Sequence, residues 1–211
     1  MILFLLFLFP IASIWLISGD LFFRQTLIDL RNYFLFGILL FIPSFFFVSI
    51  FISFLNQTYS VLNIYLYHLF ADYFFFQFFC ILVCRLRFRN MMYSGSGEGI
   101  SHYFLFIAGY YTAFTFYSAI QNYTIANIYT LFLNPITLLI MAIYTAVFLT
   151  FKDSETGFLK YIFTAGLFIF PVISAFVPFF FYIRFPLVSY IILFVMAAPI
   201  GYVLYKNSFN I

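Results

Sequence analysis

The chain has 211 residues, 66% of them hydrophobic and only 7% charged, with a mean hydropathy of +1.13. An average soluble domain is about 45–50% apolar and about 25% charged, so no water-soluble core of this size could hide so much apolar surface. The net charge of +3 is spread over single basic residues and one short cluster, which argues against a nucleic-acid partner and leaves the lipid bilayer, with its anionic headgroups, as the natural surroundings.

The expected class is an all-α, polytopic transmembrane helical bundle forming one integral membrane domain over residues 1–211. The 38 Phe and 18 Tyr read as aromatic residues filling lipid-facing positions where Leu would serve equally. That bias fits T-rich codons, and with them a bacterial inner membrane or an organellar membrane.

A span needs about 20 largely apolar residues. Polar breaks cut the chain into seven such segments, at residues 1–18, 33–55, 61–84, 102–120, 128–151, 158–182 and 186–205. The count falls to six if the first is a removable signal peptide, but it has no basic n-region and no A-x-A-like cleavage site. Residues 20–32, "DLFFRQTLIDLRN", set Leu21, Phe22, Leu27, Ile28 and Leu30 beside Arg24, Asp29 and Arg31. Such a segment can lie amphipathically in the headgroup plane or serve as an ordinary cytoplasmic loop.

The breaks alternate in charge. "DLFFRQTLIDLRN", "RLRFRNMMYSGSGEGIS" and "KDSETGFLK" carry basic residues, whereas "NQTYS" and "QNYTIAN" carry none. The positive-inside rule then puts the charged loops in the cytoplasm, the amino terminus outside and the carboxy terminus, with Lys206, inside. Arg184 alone falls on the outer side.

The third segment holds His68 and Asp72, four residues apart near its middle, with Tyr65 one turn earlier on the same face. An aspartate at mid-depth costs roughly 2.5–3.5 kcal/mol on insertion scales, so it must face the bundle and find a partner. His68 is such a partner, able to share a proton with the carboxylate. The pair reads either as a proton relay or ion or substrate site, or as a self-satisfied clamp between helices. Gln77 faces elsewhere, and Asn134, before Pro135, is the best candidate for reaching the pair from another helix. Cys80 and Cys84, one turn apart, read as small apolar packing residues, because a tetrahedral metal site wants three or four ligands.

In the sixth segment Pro171 and Pro178 flank Ser174. Proline removes a helical hydrogen bond, so this span is a candidate hinge or cavity wall, with static packing as the alternative. "SGSGEG" at 94–99 is a flexible loop, not a phosphate loop, since no G-K-[ST] follows it. No H-E-x-x-H, no G-x-S-x-G and no paired intramembrane aspartates occur, so the sequence argues against an enzyme and calls for no metal and no cofactor.

"GSGEGISHYFLFIAGYYTAF", a glycine-rich cytoplasmic loop leading into a span with Gly109-Tyr110, followed about forty residues later by "KDSETGFLK", resembles the Yip family of multi-spanning membrane proteins over residues 33–182. The resemblance implies a non-enzymatic role as a membrane scaffold, trafficking-type or complex-subunit protein. In that role Arg85, Arg87 and Arg89 would touch lipid headgroups or membrane-protein partner subunits. The alternative expectation is a small transporter or channel component in which His68 and Asp72 handle a proton, ion or substrate.

Overall fold

The computed structural model describes residues 27–54, 60–92, 98–121, 133–154 and 156–208. The first apolar segment, 1–18, and most of the amphipathic stretch lie outside them. The described residues are almost all helical, with no strand among them.

Six helical rods follow in order. α1 is Leu27–Phe54, so the last residues of the amphipathic stretch are the first turns of a helix. α2 runs from Val61 to Met92 in three joined parts: α-helical over Val61–Tyr67, a π-helix over His68–Phe74, and α-helical again over Phe75–Met92. α3 is Glu98–Gln121, α4 Asn134–Ser154, α5 Phe158–Tyr182 and α6 Pro186–Ser208. Three stretches are long and apolar enough to cross a membrane: Asn32–Ile50 in α1, Val61–Leu86 in α2, and all of α5. Asn134–Leu149 and Pro186–Tyr202 are shorter apolar helices.

Local chemistry fixes several ends. Ser60, extended at φ −89° and ψ 150°, accepts the Asn63 amide on its side chain at 3.1 Å and so caps α2. α5 starts after Gly157, whose φ of +67° suits a residue without Cβ. It closes in a Schellman turn: the Phe185 amide donates to the Phe180 carbonyl at 2.8 Å and the Arg184 amide to the Phe181 carbonyl at 3.2 Å. Arg184 takes the left-handed position, φ 68°, that glycine usually fills. Pro186, preset for a first helical turn, then opens α6.

Neighbouring contacts establish how the rods run. Phe36 meets Phe106, Phe41 meets Tyr110 and Phe45 meets Tyr117, at ring separations of 6.0, 5.7 and 4.7 Å. Both numbers rise together, so α1 and α3 are parallel. Their backbones cross at two glycines. A Cβ on Gly37 would strike the Phe106 carbonyl and stand 2.9 Å from the Tyr110 nitrogen, and one on Gly109 would strike the Phe34 carbonyl. Close approach of this kind through small residues is how helices associate in lipid, where no hydrophobic force separates protein from solvent.

α4 runs antiparallel to α3, with Tyr111 facing Thr145 and Ser118 bonded to Asn134. α5 runs antiparallel to α4, Tyr144 packing on Phe170 at 3.9 Å and Phe151 on Phe163 at 5.3 Å. The Ser189 hydroxyl then ties α6 back to the Val177 carbonyl of α5 at 2.8 Å.

Proline governs one further tie, and a tyrosine makes another. Pro171 has no N–H to offer the Leu167 carbonyl one turn back. The Gln77 side-chain amide of α2, almost fully buried, donates to that carbonyl at 2.6 Å. In the turn before Pro199, the Met196 carbonyl takes the Tyr144 hydroxyl at 2.9 Å. α5 remains one helix through both of its prolines, which are buried on its inward side.

Two measurements check this packing. Gly109→Ala and Gly37→Ala each put a methyl group into opposing backbone, and each is expected to cost about 3 kcal/mol or more by overpacking. Gly201→Ala, with nothing within 4 Å of its added carbon, should change thermal unfolding in detergent very little. In a double-mutant cycle, Gln77→Leu should cost about 1–3 kcal/mol by orphaning a buried carbonyl. In a Pro171→Ala background α5 supplies its own bond, so the cost should shrink; strictly additive costs would refute the assignment.

Candidate functional site

The π-helical stretch His68–Phe74 contains both titratable residues singled out from the sequence. Hydrogen bonds in a π stretch reach one residue further than in an α-helix, so every residue after it is re-phased relative to those before. Nothing in the apolar pattern announces that insertion. The stretch packs chiefly on α5.

His68 Nδ1 and Asp72 Oδ2 are hydrogen-bonded at 2.6 Å. The imidazole is held on both sides: Tyr182 stacks on it at 5.0 Å with planes 12° apart, and Tyr67 meets it edge-on at 5.6 Å. The two partners differ in access. The His68 side chain is 11% exposed and the Asp72 side chain 36%. Asp72 is therefore the more open of the two, and its second oxygen, Oδ1, has no hydrogen-bond partner among the described residues.

Depth is where counting along one helix misleads. The pair sits near the middle of the apolar run 61–84, yet its neighbours on other helices are terminal residues: Tyr182 closes α5 and Asn134 opens α4. The pair thus lies towards one end of the bundle, the end at which α1 and α3 finish and α2 begins.

Tyr65 does not join the pair. Its hydroxyl donates to the Val172 carbonyl at 3.1 Å, and its ring packs on Phe176 at 4.6 Å and Phe179 at 5.7 Å. Asn134 reaches the same part of α2 but one residue away from Asp72: its Oδ1 accepts from the Tyr73 hydroxyl at 3.3 Å and its Nδ2 donates to Ser118. Arg85 is exposed near the far end of α2. Arg87 and Arg89 belong to the same helix, but their side chains lie outside the described residues.

Sequence reasoning undervalued Gln77. Its amide ties α2 to α5, and its Oε1 accepts the Tyr111 hydroxyl at 3.5 Å. A signal was available, since an intramembrane amide and a carbonyl released by proline are complementary needs. Tyr110, beside Gly109, is likewise committed, its hydroxyl donating to the Phe76 carbonyl at 2.9 Å. Cys80 and Cys84 are buried in the core and form no disulfide with each other, and among the described residues no three His, Cys, Asp or Glu side chains gather as a metal site.

Compared with known protein families, with curated proteins and with solved structures, the chain matches none.

The geometry separates a fold-holding group from an available one. Asn134→Ala should cost about 1–3 kcal/mol, because it strips partners from the buried Tyr73 hydroxyl and from Ser118. Asp72→Asn, at a partly open ion pair, should cost less than about 1 kcal/mol. Equal losses in thermal unfolding would mean that Asp72 is chiefly a clamp.

Proposed function

We propose that the chain is a multi-pass integral membrane protein and a component of a small transporter or channel, in which the His68–Asp72 pair handles a proton or small cation. One observation carries this reading: Asp72 keeps an open carboxylate while His68, bonded to it, is enclosed by aromatic rings. A clamp would be served by two enclosed groups. An enclosed imidazole behind an open carboxylate can accept or return a proton as the carboxylate gains or loses a cation.

The antiparallel sequence of contacts from α3 to α6 supports alternate crossing by successive helices, and with residues 1–18 as a further span the total would be seven. On this reading the basic loops face the cytoplasm, and the membrane is a bacterial inner membrane or that of an organelle.

A second reading, a scaffold or trafficking-type partner protein of the Yip kind, draws support from Gly109. The glycine of the Gly-Tyr element is one of the two on which α1 and α3 close. There the exposed Arg85, with Arg87 and Arg89, would meet anionic headgroups or a partner subunit.

Reconstitution into liposomes separates the two. Under an imposed proton or cation gradient, Asp72→Asn and His68→Asn should reduce flux to background, while neutralising Arg85, Arg87 and Arg89 together leaves it intact. Wild-type protein with no flux of any tested cation, alongside loss of headgroup or partner binding in the arginine variant, would replace the first reading with the second.

A further inference from the structure

The groups around the open face of Asp72 are selective in kind. A hydrated metal ion stripped of its water needs several oxygen ligands, six to eight for calcium and six for magnesium. Here a single carboxylate is available, with no cluster of further acidic or imidazole ligands among the described residues. Aromatic rings flank its hydrogen-bond partner instead. Tyr67 and Tyr182 are both fixed against the His68 ring, at 5.6 and 5.0 Å, and His68 is bonded to Asp72. All three outer members of this cluster are open, Asp72 at 36%, Tyr67 at 39% and Tyr182 at 43%, whereas His68 behind them is buried.

We propose that Asp72, Tyr67 and Tyr182 form a binding site for an ammonium group, carried by a small organic cation or by a lipid headgroup. The inference rests on the reading that this pair handles a cation, and names the cation's chemistry. A carboxylate supplies the opposite charge. Aromatic faces attract a diffuse ammonium through the negative face of their π system, and do so more strongly as water is excluded. His68 fixes the site in two ways, by bonding the carboxylate and by stacking Tyr182 into place. The location suits such a ligand as well, since the cluster lies by the turn between α5 and α6, near residues that end helices.

The test uses the full chain in phosphatidylglycerol nanodiscs, titrated with tetramethylammonium by calorimetry, with sodium as the control ion. Saturable tetramethylammonium binding is expected without a matching sodium signal. Asp72→Asn should weaken it at least about tenfold, and Tyr182→Leu by about tenfold, whereas Tyr182→Phe, which keeps the ring, should bind nearly as wild type. Repeating the titration in phosphatidylcholine nanodiscs identifies the source. Loss of tetramethylammonium binding there means that a choline headgroup occupies the site, and unchanged binding means a free solute; both support the proposal. Absence of saturable binding in phosphatidylglycerol, or equal affinity in the Tyr182→Leu and Tyr182→Phe variants, would overturn it. Cation flux that depends on Asp72 but persists without ammonium binding would remove this inference and leave the proposed function standing. Ammonium binding with no flux at all would do the reverse.

Discussion

In hydrocarbon every backbone polar group must find its partner inside the protein, and that constraint organises the bundle. The chain places prolines inside α1, α5 and α6, and a proline strips its helix of one internal bond. Side chains from other helices answer. Gln77 of α2 bonds the carbonyl that Pro171 releases, and Tyr144 of α4 bonds Met196, one residue on from the carbonyl that Pro199 releases. In α1 the Ser44 hydroxyl returns to the Leu40 carbonyl one turn back at 3.0 Å. The Gln77 tie therefore stands where α5 would otherwise be deficient, and that contact is specified by a polar need as well as by shape.

The candidate site obeys the same rule and leaves one item over. His68 and Asp72 satisfy each other, and Tyr73, Asn134 and Ser118 satisfy one another beside them. Those neighbours hold the end of the bundle together. Asp72 is the member whose second oxygen is left for something from outside, and the π stretch that carries it is an irregularity of a kind often met at functional sites. A regular α-helix through residues 68–74 would present a different set of side chains to α5 beyond that point.

Much of the helix layout was legible because apolar runs and helix breakers are written directly in the residues. The limits 61, 158–182 and 186 coincide with observed helix boundaries. The His68–Asp72 bond was legible too, four residues being one turn. Tyr65 and Asn134 were placed only approximately: spacing gives the face of a helix, but a ring as long as tyrosine's can turn to α5, and a one-residue offset moves Asn134 to Tyr73. The π stretch was not legible, since its extra residue per turn leaves no mark in a run that is apolar on all sides. Gly37 passed unnoticed for a related reason. A glycine has no side chain to form a pattern, and its meaning depends on Phe106 and Tyr110, about seventy residues away.

The parallel crossing of α1 and α3 has a consequence for how the chain is made. Every residue of that crossing, together with the Tyr110 bond to Phe76, has left the ribosome once α3 is complete, so the first three described helices can close as a unit. Gln77 is then already buried in their company, but the carbonyl it serves lies ninety residues further on. Until α5 is delivered, its amide is an unmet demand held inside the membrane. The early half of the bundle is thus primed to capture the later half, and the order of synthesis becomes part of what selects α5 as its partner.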